Sequence, residues 1–179
     1  MPKKILILSG SPKKDGNTAA LVEWFSQGAR AKGCHVEIVH TASLKYKSLG
    51  CTSCRACQKQ PDYVCVIDDE ARPVLATPLY FFSASSQLKL IVDRMFSLYK
   101  WDNQANTMQT PLKGKTLVLL ASAYEDVGLD ALRKPFALTA KYTGMKFYSL
   151  LVPNAGVSGA LRKKPAVRQK AIALGKKVA

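Results

Sequence analysis

Five short apolar runs alternate along this chain with longer segments of helical period. The runs are Lys4–Ser9, His35–His40, Val74–Thr77, Lys115–Ala121 and Lys146–Val152. Several of them are continuously apolar rather than alternating, which is typical of strands that are covered on both faces. Because strands and helices alternate, we predict a parallel sheet with helices on both sides. The rules of handedness and connection then favour a doubly wound, three-layer α/β sandwich.

Four other segments carry apolar residues at the spacing of one helical face. Their predicted extents are Asn17 to Gly33, Ser85 to Tyr99, Pro135 to Gly144, and Pro165 to Val178. Pro135 suits the first turn of its helix, where a missing backbone N–H costs no hydrogen bond, and glycine is typical of a helix end. No repeat or low-complexity linker interrupts the pattern, so we expect residues 1–179 to form a single domain.

The length and the composition are those of a globular protein. Hydrophobic residues make up 47% of the 179 residues, and no apolar run reaches the roughly 18 residues that a membrane span needs. The run that follows the N-terminus is too short for the core of a signal peptide with its cleavage site. We therefore expect a cytoplasmic protein without a membrane span.

The formal net charge of +15 suggests anionic partners. Residues 161–179 contain seven Lys and Arg residues and no acidic residue. A basic terminal helix can bind nucleic acid or a membrane surface, but few aromatic residues lie among the basic ones, so stacking on bases is not supported. We interpret the segment as a solvated face and keep a nucleic-acid-associated binding protein as the minor alternative.

The first apolar run ends in a loop that leads directly into a helix. The hydrogen-bonding side chains there are Ser9, Ser11, Asn17 and Thr18, and Lys13 or Lys14 adds a nearby charge. Backbone N–H groups, hydroxyls and a helix N-terminus that converge in this way suit a phosphate monoester. The Gly-x4-Gly-Lys-Ser/Thr and Gly-x-Gly-x-x-Gly patterns are absent, which argues against a P-loop or a dinucleotide fingerprint. The alternative is an ordinary helix start that Asn17 caps.

Two further loops follow strands at the edge where doubly wound sheets bind ligands. The second loop, at 77–87, places Tyr80 and Phe81 directly after a strand, where the sheet cannot shelter them. It suits a platform for a planar ligand, and the alternative is that these rings pack against neighbouring loops. The third loop, at 121–128, would close the other side.

These loops carry the resemblance to a known family. Gly10–Thr18 is similar to the Gly-Ser-Pro-Arg-x-x-Gly-Asn-Thr loop of flavodoxin-like NAD(P)H-dependent FMN reductases. Thr77–Phe81, with the later Gln87–Lys89 and Asp93–Arg94, resembles the second FMN loop of that family and its helix. The likeness covers nearly the whole chain in the expected order. It implies a flavodoxin-like three-layer sandwich with five parallel strands in the order 2-1-3-4-5, and bound FMN.

The resemblance also implies roles for individual residues. The first loop would hold the FMN phosphate, the second would line the isoalloxazine, and the third would approach it. The corresponding residues are Ser9, Ser11, Lys13, Asn17 and Thr18; Pro78, Leu79, Tyr80 and Phe81; and Ser122 and Tyr124. The flavin would pass hydride from NAD(P)H to a small acceptor such as a flavin or a quinone, so no catalytic side chain is required. His35 and His40 are expected to be surface or packing residues.

Four of the five cysteines are clustered at Cys51, Cys54, Cys57 and Cys65. This spacing suits a thiolate-ligated [4Fe–4S] cluster or zinc. The resemblance leaves two interpretations open, because iron–sulfur flavoproteins bind a [4Fe–4S] cluster through such a motif, whereas cluster-free flavin reductases carry a similar loop before an Asp-Asp pair, here Asp68–Asp69. Reduced thiols are therefore one alternative, and a disulfide is another. Cys34 is expected to be a buried small residue.

Partners follow from the same resemblance. A cluster would imply electron exchange with a ferredoxin-type protein. The family commonly builds its nicotinamide pocket between subunits, which favours a homodimer or homotetramer with aromatic contacts from Tyr99–Trp101. The chain departs from the family between Asp69 and Pro73, where members usually place a helix and a longer strand start. Either a segment is missing there, or the third strand is short and the cysteine loop covers more of the sheet.

Overall fold

The structure, a computed structural model, describes residues 3–67 and 76–179. In chain order its strands are β1 (Lys4–Ser9), β2 (His35–His40), β3 (Ala76–Tyr80), β4 (Ser83–Ala84), β5 (Lys100–Asp102), β6 (Thr107–Gln109), β7 (Thr116–Ser122) and β8 (Lys146–Val152). Five of them form a parallel sheet in the spatial order β2-β1-β3-β7-β8. Two antiparallel pairs, β3 with β4 and β5 with β6, complete the set. Counted among the parallel strands alone, the order is the predicted 2-1-3-4-5, so the predicted fold class is confirmed.

Four helices cover the two faces of this sheet. They are α1 (Asn17–Arg30), α2 (Ser86–Arg94), α3 (Leu129–Thr143) and α4 (Pro165–Val178). α1 and α4 enclose one apolar core, and α2 and α3 enclose the other. Neighbouring β1 residues divide between them, because Ile7 packs into the α1/α4 core and Leu8 into the α2/α3 core. Side chains alternate along a strand, which explains why the strand sequences are continuously apolar.

Two glycines bring α1 and α4 into backbone contact. A Cβ on Gly28 would lie 2.1 Å from the carbonyl oxygen of Ile172, and a Cβ on Gly175 would lie 2.1 Å from that of Phe25. Neither position has room for a larger residue. The close packing anchors α1, and with it the loop that precedes α1, to the body of the protein.

Three predicted helix boundaries are wrong. α1 ends at Arg30, three residues before the predicted Gly33, and residues 31–33 form a turn. α2 ends at Arg94 and continues as a 3-10 turn over Met95–Leu98, so it does not extend to Tyr99 as an α-helix. α3 begins at Leu129, six residues before Pro135, because Gly128 takes the left-handed conformation (φ 80°) that starts the helix there. Pro135 thus lies inside α3 on its exposed side, where water can satisfy the carbonyl group that loses its N–H partner.

The third strand differs from its prediction at both ends. β3 runs three residues past Thr77, to Tyr80, because Tyr80 pairs with Ser83 in a short hairpin. Its predicted first residue, Val74, lies outside the described residues. The departure from the family between Asp69 and Pro73 also lies there, so the expectations that depend on it stay predictions.

Residues 41–67, the described part of the chain between β2 and β3, are mostly irregular. They contain 3-10 turns at Thr41–Ser43 and Ala56–Lys59, and Leu44 and Tyr46 pack against the α2/α3 core. Within residues 3–67 and 76–179, no helix is long and apolar enough to cross a membrane. The cytoplasmic location and the single-domain boundary stay predictions.

Candidate functional site

The five parallel strands end at one edge of the sheet, and the segments that follow four of them form the candidate site. β1, β3, β7 and β8 are parallel, so the segments that follow them converge at the carboxyl edge, where ligands of such sheets bind. We name these segments the first loop (residues 10–16), the aromatic turn (Phe81–Phe82), the third loop (residues 123–128) and the fourth loop (residues 153–161). The first three contain or adjoin the predicted site residues, and the fourth was not predicted.

Gly10 joins the first loop to β3 and to the start of α2 by hydrogen bonds. The Gly10 N–H donates to the carbonyl oxygen of Ala76 at 2.5 Å, and the Gly10 carbonyl accepts a hydrogen bond from Ser85 Oγ at 2.8 Å. A Cβ on Gly10 would lie 2.7–2.9 Å from Ser85 Oγ, the Ala76 carbonyl oxygen and Leu88 Cβ. Only glycine fits this position. The first loop is therefore held in a fixed position relative to β3 and the start of α2.

Three predicted hydroxyl residues are buried at the first loop. Ser9, Ser11 and Thr18 are all buried, and Ser9 Oγ has no hydrogen-bond partner among the described residues. Leaving such a group unpaired costs about 1–3 kcal/mol, which a ligand oxygen would recover. The first amides of α1 also lack acceptors within the helix. Together with the exposed Lys13 and Lys14, these groups fit a phosphate.

The side chain of Asn17 contacts the fourth loop instead of the helix start. Asn17 is the first residue of α1, and its N-cap is Gly16, so the capping alternative is wrong. Asn17 Oδ1 accepts a hydrogen bond from the Leu161 N–H at 3.0 Å, and Nδ2 lies 3.1–3.3 Å from the carbonyl oxygens of residues 155–157. Its backbone N–H remains at the start of the helix.

The aromatic turn holds two phenylalanines in an unfavourable backbone conformation. Phe81 and Phe82 are the central residues of the β3–β4 hairpin, with φ of 43° and 62°. Positive φ at both positions belongs to type I′ turns, which favour Asn and Gly, and a non-glycine residue held this way costs about 1–3 kcal/mol. Phe81 is fully exposed at 100%, and Tyr80 is about half exposed at 47%. The chain thus presents aromatic rings to solvent at this edge.

The remaining predicted ring residues lie around this turn. Pro78 is opposite Ser122 in the register of β3 and β7, and Leu79 packs partly into the α2/α3 core. Ser122 is buried, whereas Tyr124 on the third loop is exposed. The structure therefore gathers these residues at the ends of two neighbouring strands, with aromatic surface on both.

Phe82 joins the aromatic turn to the third loop, a contact that the sequence analysis missed. A Cβ on Gly128 would lie 2.1 Å from Phe82 Cδ1, so the Phe82 ring lies directly against Gly128. Gly128 also has a positive φ of 80°. Nothing in the sequence pairs these two distant residues.

The fourth loop completes the edge and was also missed. The Ala155 N–H donates to the Ala123 carbonyl at 2.8 Å, which connects the fourth loop to the third, and Asn17 connects it to the first. Contacts thus join the aromatic turn to the third loop, the third loop to the fourth, and the fourth loop to the first. A signal was present, because residues 153–159 are rich in Gly, Asn, Pro and Ser and follow a strand, as the other loops do.

The four clustered cysteines line one cavity. Cys51, Cys54, Cys57 and Cys65 share it with Arg55, Arg94 and Phe96. All are free thiols, with Cys57 buried and Cys51 and Cys54 exposed. Among the described residues, no three His, Cys, Asp or Glu side chains are arranged to hold a single metal ion. Cys34 is buried in the α1/α4 core, as predicted.

The thiol of Cys54 has a lowered pKa. The backbone N–H of Ala56 and then the side chain of Thr52 hydrogen-bond to the Cys54 sulfur and hold its pKa below the usual value for a thiol. These groups stabilise the thiolate, which is the form that binds metals and reacts with electrophiles.

The region predicted for subunit contacts is an open groove. Tyr99 is partly buried 6.2 Å from the ring of Tyr142, and burial raises the pKa of Tyr99. Trp101 is about half exposed and lines the groove with Phe96 and Met108. Aromatic surface is therefore accessible there.

Comparison with known proteins identifies the family. The profile of the NADPH-dependent FMN reductase family matches residues 3–148, most of the chain. An iron–sulfur flavoprotein from Methanocaldococcus jannaschii is 32% identical over 102 residues, 51% of each chain. One from Archaeoglobus fulgidus is 28% identical over 101 residues, 51% of this chain and 45% of its own. The chain spans about half the length of these curated relatives.

A solved structure supports the fold independently. The NAD(P)H:quinone oxidoreductase from Methanothermobacter marburgensis superposes with a TM-score of 0.69 over 100% of both chains, at 14% identity. At that identity the likeness concerns the fold alone. With the profile match over most of its length, the chain belongs to the NADPH-dependent FMN reductase family.

Proposed function

We propose that this family member is an FMN-dependent oxidoreductase that passes reducing equivalents from NAD(P)H, through bound FMN, to a small acceptor such as a flavin or a quinone. One observation carries the proposal. The carboxyl edge of the sheet has buried hydroxyls at one end and exposed aromatic rings at the other. A phosphate fits the first end, and a flat ring fits the second. FMN contains both groups in one molecule.

At the phosphate end, the chain would bind through hydroxyls and the helix start. Donors are the side chains of Ser9, Ser11 and Thr18 and the backbone N–H of Asn17, and Lys13 adds charge from solvent. The unpartnered Ser9 Oγ supports this assignment, because a phosphate oxygen would satisfy a buried group that the protein leaves unpaired. The positive end of the α1 dipole favours the same anion.

At the ring end, two strand ends would hold the isoalloxazine. The residues proposed to line it are Pro78, Leu79, Tyr80 and Phe81, with Ser122 and Tyr124 approaching from β7 and the third loop. Backbone groups at the end of β3 can bond the polar edge of the ring, and the exposed aromatic side chains offer flat apolar surface. Their exposure leaves room for a nicotinamide and then an acceptor.

The isoalloxazine supplies the hydride chemistry when it is bound. The side chains proposed here bind and orient it, and none is required as an acid or base. His35 and His40 are exposed residues of the edge strand β2, which supports their assignment as surface residues.

The proposal is tested by loading the protein with FMN and adding NADPH or NADH without oxygen. We expect retained FMN to lose its visible absorption with one of the two nucleotides and to regain it when a quinone is added. Free FMN with the same nucleotide serves as the control. Failure to retain FMN, or retained FMN that neither nucleotide reduces faster than free FMN, would contradict the proposal.

A second candidate function is favoured by the shared cysteine cavity. We propose that Cys51, Cys54, Cys57 and Cys65 can hold a [4Fe–4S] cluster that exchanges electrons with FMN and a ferredoxin-type partner. Four thiols beside two guanidinium groups match the ligands and the negative charge of such a cluster. After anaerobic reconstitution we expect about four iron atoms per chain. Cys54→Ala should lose iron and Cys34→Ala should keep it, and equal iron in both variants would exclude the assignment.

We also propose a homodimer or homotetramer with the Tyr99–Trp101 region at the interface. The exposed Trp101 and the groove beside it support this position. Sedimentation at micromolar concentration should show an oligomer for the wild type and a smaller species for Trp101→Asp. A monomeric wild type with full activity would contradict the proposal.

A further inference from the structure

The amide of Asn17 is saturated by the fourth loop. Its oxygen accepts from the Leu161 N–H, and its nitrogen lies within hydrogen-bond distance of three successive carbonyl oxygens at 155–157. A side-chain amide has two N–H donors, and these three carbonyl oxygens can accept from both. The network also fixes the orientation of the amide, because only its oxygen can accept from Leu161. A phosphate could reach this nitrogen only by breaking those bonds.

The loop that Asn17 holds lies against the phosphate end of the site. A Cβ on Gly16 would lie 3.4 Å from Ser158 Oγ, and a Cβ on Gly159 would lie 3.6 Å from the Asp15 carbonyl oxygen. The fourth loop therefore runs alongside the residues that lead into α1. Ser158 is exposed, and its hydroxyl has no hydrogen bond to any described residue. It is free to donate to a ligand at the start of the helix.

Ala155 and Leu161 are buried in the α1/α4 core at the two ends of the fourth loop, and few hydrogen bonds hold the residues between them. Ala155 is tied to Ala123 at its start, and the Lys164 side chain bonds the Asn154 carbonyl at 2.5 Å. Between these anchors and the 3-10 turn at Ala160–Lys163, the loop contains Gly156 and Gly159, both with positive φ. Glycine-rich backbone has high freedom in the absence of contacts. Asn17 is thus the side chain that brings the middle of the loop to the first loop.

We propose that Asn17 acts as a positioning residue, and that the fourth loop it clamps forms a wall of the phosphate site and contributes the Ser158 hydroxyl to the phosphate. This inference rests on the proposed function, since it concerns how FMN is held. It replaces the expectation that the Asn17 side chain contacts the phosphate directly.

The first test uses the protein without FMN. Hydrogen exchange of Asn17→Ala should be about tenfold faster across residues 155–161, with the Leu161 N–H most affected, because that N–H loses its acceptor and the loop loses its contact with α1. Asn103→Ala, a matched change at an exposed hairpin residue, should leave this exchange unchanged. Unchanged protection of residues 155–161 in Asn17→Ala would overturn the clamp. Because no flavin is present, this result is independent of the proposed function.

The second test uses Ser158→Ala, an exposed substitution that removes no intramolecular hydrogen bond. We expect its affinity for FMN to fall about fivefold while its affinity for riboflavin, which lacks the phosphate, stays unchanged. Equal FMN affinity in Ser158→Ala and wild type would overturn the proposed phosphate contact. Wild-type protein that binds no FMN at all would instead contradict the proposed function. If Asn17→Ala does not fold, Ser158→Ala still decides whether the loop is a wall of the site.

Discussion

The two ends of the proposed flavin site are built in opposite ways. The phosphate end is buried and tightly bonded, with Gly10 in backbone contact with β3 and Asn17 joined to the fourth loop. The ring end is exposed, and Phe81 and Phe82 occupy a turn that favours smaller residues. The phosphate end is therefore preorganised in the protein without ligand, and we propose that it fixes the ligand. The ring end holds aromatic surface at some cost in stability, and a bound ring would repay that cost.

The two ends also differ in the kind of side-chain group that the protein leaves without a partner. At the phosphate end the unpaired group is polar, the buried Ser9 hydroxyl. At the ring end it is apolar, the fully exposed Phe81 side chain. Both features reduce the stability of the protein without ligand, and each matches a different part of FMN. Substitutions that remove either feature should therefore raise the stability of the protein without ligand and lower its affinity for FMN.

The largest effect is expected at Gly10. Gly10→Ala places a methyl group within 2.9 Å of the Ala76 carbonyl oxygen, so the first loop must move away from β3. We expect the free energy of unfolding to fall by about 1–3 kcal/mol and FMN affinity to fall more than tenfold. Thermal unfolding and flavin titration measure the two effects. Gly16→Ala should be milder, because its Cβ would meet only side-chain atoms at 3.3–3.4 Å, and equal effects would contradict a rigid phosphate end.

Ser9→Ala should separate stability from binding at the phosphate end. The substitution removes a buried hydroxyl with no partner among the described residues, so the protein without ligand should be as stable or more stable. FMN affinity should fall about tenfold, since a hydrogen bond to a charged oxygen contributes roughly 1.5–3 kcal/mol.

The matched control is Ser26→Ala, another buried serine. Ser26 Oγ donates to the Val22 carbonyl at 2.7 Å inside α1, so its loss should lower stability slightly and leave FMN binding intact. An Ser9→Ala protein that binds FMN as the wild type does would remove Ser9 from the site.

Phe81→Asn at the ring end should likewise raise stability and lower FMN affinity, but the change in FMN affinity should be smaller than in Ser9→Ala. Asparagine tolerates a positive φ, and Phe81 has no buried surface to lose, so the melting temperature without FMN should rise. FMN affinity should fall about threefold to tenfold, the contribution of one aromatic contact. Phe96→Asn, in the 3-10 turn after α2 and beside the cysteine cavity, should not change FMN affinity. A lower melting temperature for Phe81→Asn would show that the turn is not strained.

The smallest effect is expected in the cysteine segment. This segment belongs to neither end of the proposed flavin site, so the result should not depend on flavin binding. Because the pKa of Cys54 is lowered by the Ala56 N–H and by Thr52, its thiolate forms at lower pH than an ordinary thiol. Alkylation followed by peptide mapping over a pH series should therefore modify Cys54 at a lower pH than free cysteine in the same reaction. Thr52→Ala should move the Cys54 profile to higher pH, and an unchanged profile would contradict the assigned cause.

The sequence predicted the sheet and the ligand edge because both depend on local patterns. Continuous apolar runs, the Gly10–Thr18 loop and the aromatics after β3 are each visible within a few residues. The contacts that close the site do not follow from local sequence patterns. Asn17 meets residues 155–161, and Phe82 meets Gly128, through packing between segments far apart in the chain. The start of α3 was misjudged for a similar reason, because Pro135 suits a first turn locally but is tolerated inside an exposed helix face.

The central claim is that the phosphate end contributes most of the affinity for the ligand. Titration of the wild-type protein with FMN and with riboflavin tests this most directly, because the two differ only in the phosphate. We expect FMN to bind at least about a hundredfold more tightly, since two or more charge-assisted hydrogen bonds and the α1 dipole act on the phosphate alone. Equal affinity for the two flavins would contradict the account.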